Sequence, residues 1–235
     1  MLQQHSDRML MIGVNLEIMR EHIKKTNSYL TSLQDKVWHE YKNARYAGSL
    51  NEMVERSLST LEHINIDIKY QRIMYRDIER LPQLFYSSFV ITLCAFIENE
   101  LYELCMYYWE NYTKEKNPPN LNSYYKTKKY ITKTMKLKID KKQCDELETG
   151  IKKLRNQIAH KGPAFDRKLA EYQKEKSLSE MLKHIQNHNL VTTNGTYTYI
   201  KISFEYCIYL IEFTTDFFKK LFNNFNQLHL IKTNR

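Results

Sequence analysis

Only five glycines and four prolines punctuate 235 residues. A chain so poor in turn residues cannot make the many tight reversals of a multi-stranded β fold. It favours long, uninterrupted helices. The expected class is all-α: a helical bundle of about six to seven helices, with one short β-hairpin before the last helix. The length allows one large domain or two small ones.

The pattern along the chain supports this. Leu10, Val14, Ile18, Ile23, Leu30, Leu33 and Val37 recur mostly at steps of three and four, predicting a helix over 8–43. A break follows at 46–52, where Ser49 and Glu52 stand in capping-box spacing. The next helix reaches Arg80, and Pro82 is expected to punctuate it. A third runs from Gln83 to Tyr112 and ends at the loop KEKNPPNLN. A helix over 140–161 stops at Gly162-Pro163, and another spans 166–188. Asn194-Gly195 between Thr, Tyr, Val and Ile residues is a hairpin signature. The aromatic segment from Phe204 to Phe225 closes the chain as a helix, with Phe204, Ile208, Ile211, Phe217, Phe218 and Leu221 on it. Residues 1–80 read as an N-terminal helical hairpin, free-standing or packed as part of one domain, and 81–235 as the main helical domain.

Cys94, Cys105, Cys144 and Cys207 form no C-x-x-C pair and read as free thiols of a reducing compartment. No apolar run of membrane-spanning length is visible, because Glu98 and Glu100 end the run SSFVITLCAFIENEL. No leader pattern opens the chain. The expectation is a cytoplasmic protein with no membrane partner. The net charge of +9 points to a polyanionic partner, nucleic acid first. A Lys-rich protein without such a partner is the plain alternative.

The segment KLRNQIAHKG carries the densest chemistry. Cys144, Leu147, Ile151, Leu154 and Ile158 form the core seam of its helix, at steps of three and four. With Ile151 at zero and about 100° per residue, Arg155 falls at about 40°, Ala159 at about 80°, Asn156 at about 140° and His160 at about 180°. A second, polar face therefore curves away from the seam. By itself this is an ordinary solvated helix end, with a histidine where the helix dipole favours a cation.

The pattern of Arg155, Asn156 and His160, late in an amphipathic helix that ends on glycine, resembles the R-x(4–6)-H signature of the HEPN superfamily. FVITLCAFIENELYELC is similar to the HEPN helix that carries an acidic residue, matched by Glu98 or Glu100. The resemblance covers roughly 80–225. It implies a metal-independent endoribonuclease with no cofactor, acting as a homodimer whose two motifs share a cleft. On this resemblance His160 does acid–base chemistry, Arg155 stabilises the scissile phosphate, and Asn156 orients the phosphate or the histidine. Glu98 or Glu100 holds Arg155, and periodicity does not choose between them. A toxin or abortive-infection role is implied, with tRNA or mRNA as substrate and an antitoxin or defence-complex partner. The position two residues after His160, where some family toxins carry a modifiable tyrosine, is Gly162 here. The competing reading is a non-catalytic module of the same type, binding RNA, a nucleotide or a partner protein. A third is a structural subunit of a larger defence complex.

Two further groups stand out. Between Ser123 and Ile139 lie six lysines and three tyrosines. Lys126, Lys128, Lys129 and Lys133, with Tyr124, Tyr125 and Tyr130, are expected to grip and stack RNA, helped by Lys161. Lys136 and Lys138 continue the run. A solvated basic linker is the alternative. His184 and His188 stand four apart, with Glu180 four before them, a spacing able to hold a metal. With no evident further ligand, a solvated helix face is preferred and no metal is expected.

Overall fold

The computed structural model describes residues 2–46, 60–162, 164–165, 176–194 and 197–233. The protein is mostly helical. In chain order come α1 (Leu2–Tyr46), α2 (Thr60–Ile73), α3 (Leu81–Tyr112), α4 (Tyr124–Lys129), α5 (Lys141–Asp145) and α6 (Lys152–Lys161). Then follow β1 (Ala164–Phe165), α7 (Lys176–Asn187), β2 (Val191–Asn194), β3 (Tyr197–Ile200) and α8 (Phe204–Thr233). Three π-helical turns, Met74–Arg80, Tyr130–Thr134 and Glu146–Ile151, join or extend these helices. The chain divides into two compact units, residues 21–86 and residues 1–20 with 87–235. This division differs from a boundary at 80/81, because α1 and α3 each supply residues to both units.

The unit 21–86 is an antiparallel helical pair. Asn27 Oδ1 accepts from the Tyr86 hydroxyl at 2.7 Å, and the Gln34 amide donates to the Ile78 carbonyl at 3.3 Å. Tyr41 donates to Asp67 at 3.0 Å. Rising numbers on one side meet falling numbers on the other. Ile23, Leu30 and Val37 are buried at seven-residue steps, the repeat of a supercoiled seam. Pro82 does not end the helix as its type led one to expect. The π turn before it closes with a bond from the Leu81 N–H to the Arg76 carbonyl, five residues back. Proline itself lacks an N–H. The carbonyl four residues before it, that of Ile78, is the one that takes the Gln34 amide instead. The Ser49–Glu52 cap lies outside the described residues.

In the unit formed by 1–20 and 87–235, α3 and α8 build the core. Leu93, Leu101 and Leu104 of α3 are buried with Phe217, Phe218, Phe222 and Phe225 of α8. Phe96 meets Phe218 edge-on at 6.4 Å, and Tyr112 meets Phe225 at 6.0 Å. Phe204 and Ile208 of the expected core pattern are only half-buried. On the part of α1 within this unit Ile12 and Leu16 are buried, while Leu10, Val14 and Ile18 face outward. Two apolar stripes share this helix, and periodicity cannot say which one meets a partner. Arg8 ties α1 to α3 through Glu100 at 2.9 Å.

The stretch 67–112 is long and apolar enough to cross a membrane, with a window of mean hydropathy 1.4. A continuous-run test passes it over because scattered charges interrupt the run. Its Val90, Leu93, Ile97, Leu101 and Leu104 are buried within the protein, while Leu84, Phe85 and Tyr102 are exposed.

The hairpin before the last helix is present, with Val191 opposite Ile200 and Thr192 opposite Tyr199. Gly195 at its turn lies outside the described residues. Sequence reading missed β1, which pairs with β3 through Ala164 and Tyr199 to give the order β1-β3-β2. Gly162 makes this possible. Its φ of 77° lies in the left-handed region open to glycine, so the chain leaves α6 and enters β1 within two residues. Of the helix expected over 166–188, the described part is α7 and residues 166–175 lie outside the described residues.

Candidate functional site

The helix that carries the motif begins at Asp140, whose carboxylate caps it by accepting from the Gln143 N–H at 3.2 Å. Cys144, Leu147, Ile151 and Leu154 are buried as the seam requires. Ile158 is half-buried, and Gln157 takes the buried place at the end of the seam. The helix widens into a π turn over Glu146–Ile151. The Gln157 amide is satisfied locally, donating to the Gly162 carbonyl at 3.3 Å.

Arg155 emerges half-buried from this helix. Its Nη2 donates to Glu98 Oε1 at 2.9 Å, across 57 residues of sequence. Lys152, one turn earlier, reaches the same oxygen at 2.9 Å. The Lys152 ammonium also lies 4.4 Å from the centre of the Tyr124 ring. Glu100 is engaged elsewhere, with Arg8. The choice that periodicity left open therefore falls on Glu98. Asn156, His160 and Lys161 are exposed. The result is an anchored guanidinium at the base of an exposed amide, imidazole and ammonium on one helix end. Lys152 was missed from sequence, although its i, i+3 spacing to Arg155 puts the two on one face.

Cys94 stands one turn before Glu98 on α3 and is no nucleophile. Burial pushes its thiol up to about 12, more than the nearby Arg155 lowers it. All four cysteines are buried and free.

Glu98 and Lys152 also line a cleft of about 370 Å³, together with Leu121, Ser123, Tyr124 and Thr127. Beside it, sharing Leu121, runs a shallower groove of about 240 Å³ lined by Lys126, Lys129 and Lys133. These three lysines are exposed. The rest of the basic segment departs from expectation. α4 starts on a Ser123 cap and turns Tyr124, Thr127, Tyr130 and Ile131 inward, as its amphipathic spacing demands. Tyr124 and Tyr130 are thus core side chains with no face for a stacked base. Tyr125, 64% exposed, is the one of the three tyrosines that faces outward. Lys128 is half-buried and bound to Glu148 at 2.6 Å, which neutralises it.

His184 of α7 and His188, just past its end, do not form a solvated face. His184 is buried and His188 half-buried. Glu180 is exposed, and the carboxylate that joins them is Glu146, from the π turn ahead of α6. Sequence spacing could not find it, because Glu146 lies in a different helix.

Compared with known protein families, curated proteins and solved structures, the chain shows no match.

Proposed function

We propose that this chain is a metal-independent endoribonuclease of the HEPN type, a cytoplasmic toxin or phage-defence effector acting on tRNA or mRNA. The observation that carries the reading is the Glu98–Arg155 pair beside exposed Asn156 and His160. An arginine fixed by a carboxylate loses little freedom when it meets a phosphate, and its charge stabilises the charge that develops there. In the proposed reaction His160 takes the proton of the ribose 2′-OH. The 2′-oxygen attacks the phosphorus, the bond from phosphorus to the 5′-oxygen breaks, and a second acid protonates that oxygen. In a homodimer the second acid is the other copy of His160. The products are a 2′,3′-cyclic phosphate and a 5′-OH.

The test is cleavage of total RNA and of an end-labelled oligonucleotide, with end-group analysis. His160→Ala and Arg155→Ala are each expected to lower the rate by about 10²–10⁴-fold. Cleavage persists in EDTA, and both variants remain dimers by light scattering. Undiminished cleavage by either variant defeats the assignment. A second reading, a binding module without catalysis, draws on one feature. Glu98 already neutralises part of the charge on Arg155 and Lys152. Such a module binds RNA, a nucleotide or a partner protein through the same face, and the reading predicts no cleavage of total RNA by the wild type.

A further inference from the structure

We propose that Glu146, His184 and His188 form a site for one divalent transition-metal ion of the zinc class. One donor atom from each lies within 4.8 Å of the other two. His184 Nδ1 and His188 Nε2 each stand 3.8 Å from the same oxygen, Glu146 Oε1. Those gaps are too long for hydrogen bonds. They are a little longer than the ~3.4 Å between ligand atoms that bonds of about 2.0–2.1 Å to a tetrahedral zinc require. The three donors as a set lie within 4.8 Å, so Glu146 and His188, both half-buried, move inward for all three to reach bonding distance.

The surroundings are those of a ligand set. Tyr206 holds His184 Nε2 at 2.8 Å, leaving Nδ1 to face Glu146. That is the outer-shell contact that fixes the ring and tautomer of a metal-bound imidazole. The Tyr209 hydroxyl donates to Glu146 Oε1. Gly150, in the same π turn as Glu146, makes room for the His184 ring. A Cβ there would stand 2.7 Å from His184 Cγ. The π turn, α7 and α8 thus converge on one point. Three protein ligands leave a fourth position for water or a small ligand, on the side where Glu146 and His188 reach the surface. Two imidazoles and a carboxylate select zinc, cobalt or nickel over magnesium and calcium.

The experiment uses the full chain, stripped with chelator and then titrated. One Zn²⁺ per chain is expected by calorimetry. Co²⁺ should give the visible bands of a low-coordinate site, and Mg²⁺ should give no signal. Zinc should raise the melting temperature. His188→Ala and Glu146→Gln should each weaken zinc binding by more than about 100-fold, beyond the loss an outer-shell partner causes. Tyr206→Phe should weaken it about 10–100-fold. Circular dichroism of the metal-free variants checks that each is folded, and the half-buried His188 is the safest position to truncate. Absence of stoichiometric zinc uptake by the wild type overturns the site. So does wild-type affinity in folded His188→Ala or Glu146→Gln. The proposal assumes nothing about RNA. His160→Ala should bind zinc as the wild type does, so this site and the ribonuclease reading can fail separately.

Discussion

Burial decides the charge of His184. Its ring faces Glu146, His188 and Tyr206, and desolvation pulls its pKa down from 6.5 to about 4. The unfolded chain therefore binds a proton that the folded protein refuses between those two values. Stability is full above pH 6.5 and falls as the pH drops through the window toward 4. The sum is about 3 kcal/mol, of which about 2 kcal/mol is already lost at pH 5, where carboxylates are still largely ionised. Half-buried His188 adds to the loss in the same direction. Urea unfolding of the metal-free protein at pH 7 and pH 5 measures this, and His184→Gln should flatten the dependence. A wild-type stability constant across that range contradicts it. Single residues also show what a sequence can mark and what it cannot. Arg155, Asn156 and His160 stand out by type and spacing. Glu98 and Glu100, about 200° apart on one helix, differ only in which neighbour each one meets. That neighbour is a matter of packing, and α6 supplies it for Glu98 while α1 supplies it for Glu100.

The helices themselves were legible, because scarcity of Gly and Pro and steps of three and four act locally. The π turns were not. A π turn needs only bonds to the fifth residue back, and no residue type announces it. Yet these turns decide much of the detail. The turn over Glu146–Ile151 sets Glu146 beside the two histidines that follow it in sequence. Gly150 tests how tightly that turn is fitted. Alanine improves helix propensity over glycine by about 1 kcal/mol. Against this, its Cβ would lie 2.7 Å from both Cγ and Nδ1 of His184, a buried ring that cannot swing aside. Overpacking of this kind costs about 1–3 kcal/mol, so the clash wins. Gly150→Ala should lower the urea midpoint without changing the slope of the transition. A midpoint raised by the substitution would show that the ring and the turn are loosely packed.

At the scale of the whole molecule, the charge of +9 was plain from composition, but where it is usable was not. Seven residues were expected to share RNA binding in the basic segment. Folding withdraws Tyr124 and Tyr130 into the core and pairs Lys128 with Glu148. What remains outward is Lys126, Lys129 and Lys133 along one groove, with Tyr125 exposed nearby in α4. This arrangement makes a quantitative forecast for RNA. Each phosphate neutralised on a single strand contributes about −0.7 to the slope of log affinity against log salt. Replacing the three lysines with Gln should make that slope shallower by about 2, and should weaken all RNA sequences alike, since phosphate contacts carry no base information. Tyr125→Ala should instead leave the slope unchanged while costing about 1–3 kcal/mol, the loss of one stacked base. Lys128→Gln should barely alter the slope, because its ammonium is already spent on Glu148. Fluorescence anisotropy with a single-stranded oligonucleotide across a salt series separates these three outcomes. A slope untouched by the triple replacement would place the RNA path elsewhere and leave Lys152, Arg155 and Lys161 of α6 to carry the contact alone.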